Sequence, residues 1–502
     1  MYPGAYDPAR PAVVTADGNT TLTYGQLEEN SLRLADHLRS AGLRRGDHVA
    51  LLADNDPRVL EVSWAAMRSG LYLTAVNHHL TAEEAAYIVR DCGAGTLIVS
   101  GALGELGARV GALVPEVTHR LGLDDGSYDA ALREASPEPP DAQPRGADML
   151  YSSGTTGRPK GIEPALPDGD IRTDPTTYQL LFQPMYGFGE DTVYLCPAPL
   201  YHAAPLRFCH TITATGGTVV LMKSFDAQEA LEAIERHKVT HSQWVPTMFV
   251  RMLKLPQEVR ERYDTSSMKV AIHAAAPCPV EVKRRMMEWW GPVLYEYYAA
   301  TEGNGITFIG PEEWLRKPGS VGRAGLLGEL RVCDEAGKVL PPGETGVIYF
   351  EREELPFRYH RDDGRTREAQ HPDHPTWTTT GDIGHADEDG YLYLTDRKAF
   401  MIISGGVNIY PQEIEDCLVL HPAVADVAVI GVPDPEMGES VRAVVQAAEG
   451  AEAGPELARE LIAYVRERIA HYKVPRDVVF VSALPRTPTG KLAKGRLRSA
   501  AQ

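Results

Sequence analysis

The residues Tyr151-Ser152-Ser153-Gly154-Thr155-Thr156-Gly157-Arg158-Pro159-Lys160-Gly161 gather hydroxyl groups, glycine and cations directly behind the apolar pair Met149-Leu150. A strand running into such a turn offers backbone N–H groups, side-chain hydroxyls and two cations to an anion. Gly154 and Gly157 can take φ > 0 and let the backbone come close to a ligand. Ser152, Ser153, Thr155 and Thr156 add donors, while Arg158 and Lys160 add charge. The chemistry that suits this composition is polyphosphate binding. The common NTPase loop does not fit, because it needs Gly, four residues, then Gly-Lys-Ser/Thr. Here Pro159 holds the sixth position from Gly154, and Lys160 is followed by Gly161.

Further segments carry residue types suited to a nucleotide and an acid. Pro199-Leu-Tyr-His202 puts an aromatic ring and an imidazole side by side, and a neutral His can donate a hydrogen bond to a carboxylate. His273-Ala274-Ala275-Ala276-Pro277 is a small-residue run on which a purine could lie against backbone. Tyr295-Glu-Tyr297-Tyr298-Ala299-Ala300-Thr301-Glu302 joins flat rings to a hydroxyl and a carboxylate. Thr379-Thr-Gly-Asp382 is followed at 396–397 by Asp-Arg, and an ionised carboxylate can accept from two donors at once. Ser404-Gly405-Gly406 and Pro485-Arg-Thr-Pro-Thr-Gly-Lys491 complete the set.

In this order, over nearly the whole chain, these segments resemble the signatures of the adenylate-forming superfamily: acyl- and aryl-CoA ligases, carrier-protein-loading adenylation domains and beetle luciferases. The resemblance implies that residues 152–157 and Lys160 form the phosphate loop, with Thr156 among the catalytic residues. It implies that Ala274, Ala275, Ala276 and Pro277 wall the adenine, and that Tyr298, beside Tyr297, stacks on it. Thr301 would contact the α-phosphate, and Glu302 would be the Mg²⁺ ligand, since magnesium on a nucleotide takes one or two carboxylates plus phosphate oxygens. Asp382 would receive the ribose hydroxyls, and Arg397 would face ribose or phosphate. His202 would sit beside the substrate carboxylate, Ser404, Gly405 and Gly406 beside the CoA thiol arm, and Lys491 would enter the site for adenylation. Two departures stand out: His273 where the family has Gly, and Ala399 at a pivot that is usually Asp or Lys.

The chain has 502 residues, too many for one core, with 43% hydrophobic and 24% charged residues, as in an ordinary globular protein. A net charge of −19 excludes a dominant nucleic-acid or anionic-membrane surface. The six cysteines are scattered without a C-x-x-C pair, which argues against a disulfide frame or zinc site and suits a reducing compartment. The N-terminus lacks signal-peptide character and no run reaches membrane-span length, so a cytoplasmic location is expected.

These residues must be positioned by alternating strands and helices. Capping boxes at Thr23–Gln26 and Thr81–Glu84 open helices, and apolar runs at 49–53, 72–76 and 96–100 read as buried strands of a parallel sheet. Residues 124–147 and 163–177 read as connections, and Asp226 caps a helix ending near 237. The fold class expected is α/β, with a β-rich subdomain from about residue 319 and a boundary near 396. That gives a large AMP-binding domain over 1–396 and a small, mobile α+β C-terminal domain over 397–502, joined by a hinge at 397–399.

The resemblance implies an acyl-CoA ligase that consumes ATP, Mg²⁺, a carboxylic acid and CoA, passes through an acyl-adenylate and releases AMP and pyrophosphate. Ala299 and Ala300 with Trp244, His202 and His273 outline the acid pocket, and Tyr186, Phe188, Tyr201, Phe249 and Phe308 are further aromatic candidates. The small residues suggest a wide apolar acid, whether long-chain, aryl or polycyclic. Three alternatives stand beside this reading: loading of a separate carrier protein, thioesterification of an acyl-adenylate supplied by a separate adenylating enzyme, and a non-catalytic adenylate-binding regulator. The sequence leaves an oligomer open.

Overall fold

A computed structural model describes residues 2–152, 159–397, 400–405 and 407–485, together with 492, 494 and 497. The chain divides into two compact units, one of Met1–Trp244, Pro256–Ile272 and Pro356–Thr366, the other of Val245–Leu255, His273–Leu355 and Arg367–Gln502.

In the first unit, the strands His119–Gly122, Ala94–Val99, His48–Leu52, Tyr72–Val76 and Ala147–Asp148 lie side by side in that order. All four pairings are parallel. Both central strands are buried along their whole length, as a sheet with helices on its faces requires. The capping boxes at Thr23/Gln26 and Thr81/Glu84 are present, each with side chain and backbone exchanging hydrogen bonds. A second parallel set joins Val193–Cys196 to Thr218–Leu221 and His241–Trp244, with Pro11–Thr15 beside Thr218–Leu221. A small antiparallel sheet of Leu150–Ser152, Lys160–Glu163 and Arg358–Tyr359 brackets the hydroxyl-rich loop.

The expected connection at 124–147 needs correction, because it contains the helix Ser127–Glu134, which buries Tyr128, Ala131 and Leu132. Only three of its eight residues are buried, in a stretch otherwise rich in Pro, Asp, Glu and Ala, so composition concealed the helix. The connection at 163–177 has no helix or strand between Glu163 and Thr177.

The second unit is richer in antiparallel strands. Leu294–Ala299, Ile306–Ile309 and Arg323–Leu327 form one run. Glu329–Cys333, Gly346–Glu351, Asp382–Ala386 and Leu392–Arg397 form a four-stranded sheet. Toward the C-terminus, the long hairpin Val424–Asp434/Gly438–Ala447 carries both Ile402–Ser404 and Asp477–Phe480 along the outer edge of its second strand. The helices Pro411–Leu418 and Pro455–Arg466 cover it, so that Ile414, Leu418, Val429, Val441, Leu461 and Val465 share one buried cluster. Each such aliphatic side chain contributes about 1.5–3 kcal/mol on burial.

Candidate active site

In the second unit, the Tyr-rich strand and the Thr-Thr-Gly-Asp segment converge on one carboxylate. Tyr298, on Leu294–Ala299, donates its hydroxyl to Asp382 Oδ2 at 2.7 Å. Thr380 Oγ1 donates to the same oxygen at 2.9 Å. Asp382 is nearly buried and opens the strand Asp382–Ala386 immediately after Gly381, whose φ of 83° turns the chain and whose N–H bonds Thr379 Oγ1. Arg397 stands directly opposite Asp382 on the neighbouring strand. The Tyr298 ring lies near-parallel to Phe350, with centroids 6.1 Å apart.

The small-residue run His273–Pro277 follows the strand Val270–His273. Ala274 is buried, whereas Ala275 and Ala276 are exposed. Ala275 has φ of 75°, a left-handed backbone that a non-glycine residue adopts only at a cost, and such strain clusters at ligand clamps. His273 is fully buried, its Nε2 3.5 Å from Glu296 Oε2, and Glu296 pairs with the buried Lys283 at 2.7 Å. Lys283 also lies over the Trp314 ring at 4.8 Å. Burial holds the His273 imidazole well below its ordinary pKa, with Lys283 pushing the same way, so the ring is neutral. This buried trio beside the small-residue run was not legible in the sequence.

Thr301, Glu302, Ala299 and Ala300 are half-buried and Tyr297 is buried. The backbone turns at Gly303, which bonds Ala300 O and has φ of 65°. Among the described residues no group of three or more His, Cys, Asp or Glu could hold a metal ion. In the C-terminal segment, Gly405 has φ of 57°, its N–H bonds Met437 O at 2.8 Å, and a Cβ there would meet Met437 Cε at 2.4 Å. Ser404 is nearly buried and pairs with Gly438.

In the first unit, Ser152 pairs with Lys160 across the two strands that lead into and out of the hydroxyl-rich loop. Tyr151 donates its hydroxyl to Asp91 Oδ2 at 2.6 Å, which fixes the entry strand. Tyr201 and His202 end the turn before the helix Ala203–Ala214, for which His202 is the N-cap. Asn55, which sequence reasoning missed, holds that turn through Ala198 O at 3.1 Å, Met222 O at 2.8 Å and Leu200 N at 2.8 Å. The Tyr201 ring packs on His202 at 4.5 Å and edge-on against His78 at 5.1 Å, and burial raises its hydroxyl pKa to about 12. Trp244, assigned to the acid pocket, is buried with its indole N–H on Ser242 Oγ at 2.6 Å. Ser153, Gly154, Thr155, Thr156, Gly157, Ala399, Gly406 and Lys491 lie outside the described residues.

The AMP-binding enzyme family model matches residues 4–358, and the AMP-binding enzyme C-terminal domain model matches 413–491. The chain therefore belongs to the AMP-binding enzyme family, within the adenylate-forming superfamily, as its motifs led one to expect. It is 35% identical over 493 residues to a feruloyl-CoA synthase of Amycolatopsis, covering 97% of this chain and 95% of that one. It is 32% identical to the long-chain-fatty-acid–CoA ligase FadD13 of Mycobacterium tuberculosis, covering 98% and 95%. Among solved structures, it matches the o-succinylbenzoate CoA synthetase of Bacillus subtilis in complex with its acyl-adenylate intermediate with a TM-score of 0.82. That pair shares 26% identity, with 99% of this chain and 96% of the other covered. The mixed α/β fold is that of the superfamily. No helix among the described residues is long and apolar enough to cross a membrane.

Proposed function

We propose that this protein is an AMP-forming acyl-CoA ligase acting on an apolar monocarboxylic acid of long-chain, aryl or polycyclic type. The observation that carries the reading is the convergence of Tyr298 and Thr380 on Asp382, with Arg397 opposite on the next strand. This is a preorganised acceptor for two ribose hydroxyls beside a flat ring for the purine.

In the first half-reaction the acid's carboxylate attacks the α-phosphorus of ATP, the bond to the bridging oxygen of the β-phosphate breaks, and pyrophosphate leaves. The phosphate loop with Lys160 holds the departing group, Thr301 holds the α-phosphate, and Lys491 stabilises charge between nucleophile and electrophile. Glu302 would hold Mg²⁺, which supplies charge neutralisation on the triphosphate. In the second half-reaction the CoA thiol attacks the acyl carbonyl and AMP leaves. The segment 397–502 serves as the cap that turns about 397–399, withdrawing Lys491 and bringing Ser404–Gly406 to the thiol arm. The pocket segments at His202, 273–277 and 299–300 add no Lys or Arg, which favours a monoanionic acid over a polyanionic one.

A panel of carboxylic acids tests this by pyrophosphate exchange and by AMP release with and without CoA. A productive acid should support exchange and CoA-dependent thioester formation. Exchange without a CoA product would indicate a carrier protein as acceptor. Thioester formation only from a supplied acyl-adenylate would leave the second half-reaction alone. Nucleotide binding with neither reaction would mark a regulator.

A further inference from the structure

The strand that carries Lys160 out of the hydroxyl-rich loop is held on its far side by a segment some two hundred residues later. Arg358 pairs with Glu163 and Tyr359 with Ile162 in antiparallel register. The next residue, His360, donates its N–H to Gly161 O at 2.8 Å, and its imidazole bridges the Glu163 carboxylate and Asp91 O, the latter at 3.0 Å. Asp91 is the residue whose carboxylate receives the Tyr151 hydroxyl, so both strands flanking the loop are tied to one point. At Gly161 a Cβ would lie 3.1 Å from His360 Cβ and 2.6 Å from Met149 Cε, so glycine permits the close approach. A two-residue strand has little intrinsic stability. Here it is fixed by the Tyr359 N–H on Thr366 Oγ1 at 3.0 Å and by Thr366 on Asp362 O at 3.0 Å.

The ring of Tyr359, itself nearly buried, lies under the Lys160 ammonium, 5.0 Å from Nζ to centroid. A lysine side chain has large rotamer freedom, and a flexible cation binds phosphate poorly until that freedom is lost. A carboxylate partner would restrain the ammonium by neutralising it. An aromatic face restrains it through the ring quadrupole and does not itself neutralise the charge. We infer that Tyr359, braced by His360 and Glu163, is a positioning residue that presents the Lys160 ammonium to the terminal phosphates of ATP. The inference rests on the reading of Lys160 as a phosphate ligand in the proposed function.

The test uses the full-length protein and calorimetric affinities for Mg·ATP and for AMP, which lacks the terminal phosphates. Tyr359→Phe keeps the ring and should bind both nucleotides as the parent does. Phenylalanines of increasing fluorination at position 359 keep the shape while draining the quadrupole. They should weaken Mg·ATP stepwise, by about five- to tenfold at full fluorination, with AMP unchanged within a factor of about two. Tyr359→Leu should match the fully fluorinated ring, and because the fluorinated series preserves volume, a failure of the leucine variant to fold leaves the test intact. In a Lys160→Ala background the fluorination trend should vanish, as a double-mutant cycle requires. A flat series, in a protein whose Mg·ATP affinity still falls on Lys160→Ala, overturns the positioning role alone. Equal losses of ATP and AMP affinity assign Tyr359 to structure and also overturn it. Unchanged Mg·ATP affinity in Lys160→Ala removes the phosphate role of Lys160 itself, and the inference with it.

Discussion

Asp382 accepts hydroxyl hydrogen bonds from Tyr298 and Thr380 on a single oxygen, which orients its carboxylate before any ligand arrives. A hydrogen bond to a charged group contributes roughly 1.5–3 kcal/mol. Tyr298→Phe keeps the ring and loses the orienting donor, so it should weaken AMP binding about tenfold. Asp382→Ala removes the acceptor and should weaken it about a hundredfold or more. The decisive measurement compares AMP with its 2′- and 3′-deoxy analogues by calorimetry. The parent should discriminate against the analogues, Tyr298→Phe less so, and Asp382→Ala not at all. Discrimination that survives Asp382→Ala would remove the ribose role from this residue. The motif around Asp382 was legible because its residues are contiguous. Its contact with Tyr298, 84 positions earlier, was not, since spacing along a chain says nothing about which strands become neighbours.

The helix Val280–Trp290 and the strand Leu294–Ala299 are joined by the buried Lys283–Glu296 pair, with His273 beside it. These elements adjoin both proposed adenine segments, the Ala274–Pro277 run and Tyr298. A buried ion pair is weak evidence for net stability, but breaking one partner strands a charge and costs about 3–5 kcal/mol. Lys283→Met should therefore lower stability by that order, whereas Lys283→Met with Glu296→Gln should recover a large part of it. Urea denaturation of the two variants checks this, and equal losses would refute the pairing argument. At this scale the sequence was a mixed guide. The capping boxes at Thr23 and Thr81 announced their helices, because the signature is local. An equivalent box at Thr176/Gln179 opens Thr177–Tyr186 with the same Thr-x-x-Gln pattern, but it lies at the end of a proline- and aspartate-rich stretch that reads as loop. The edge strand Arg358–Tyr359 leaves no periodic signal in two residues, because it exists only through its pairing with Glu163 and Ile162. The trio at His273 gave no warning either, as each member alone looks like a surface charge or a ring in a wall.

The two half-reactions proposed for this chain make the strongest functional prediction at molecular scale. An ammonium about 4 Å from the transferring phosphoryl group, at an effective dielectric near 20, interacts by on the order of 4 kcal/mol before desolvation is counted. Lys491→Ala should slow adenylation by about a hundredfold or more. Thioester formation from a synthetic acyl-adenylate and CoA should continue near the parent rate, because that step does not use the ammonium. Equal slowing of both steps, measured in single turnovers, would show that Lys491 acts through structure.

The first unit also sets the acid limit of the molecule. His48 is stacked on Tyr72 and His210 on Trp64, and burial lowers both imidazoles to about 4 from the ordinary 6.5. The charges near His48 are those of His360, Glu163, Asp47 and Arg361, and near His210 those of Asp148 and Arg145, but desolvation is the larger cause for each. Burial likewise depresses His37, His78, His119 and His241 of the same unit. Below pH 6.5 the unfolded chain takes up protons that the folded one refuses, so stability falls with pH until about pH 4, where the folded imidazoles also charge. For His48 and His210 the loss between pH 7 and 5 is about 1.5–2 kcal/mol each. Protonation also relieves part of the net charge of −19, but self-repulsion spread over a surface is screened by salt, whereas the buried sites are not. Buried carboxylates act in the opposite sense, since burial raises Asp416 to about 7 and lifts Glu61 and Glu296, so the histidine share is read as a difference between parent and variant at 0.15 M salt. Between pH 7 and pH 5 the urea midpoint of the parent should fall relative to that of His210→Gln, which cannot titrate. Equal midpoint changes in parent and variant would mean that the His210 imidazole is charged in the folded protein, and its stacking on Trp64 would then have to be read as a contact between a cation and a ring.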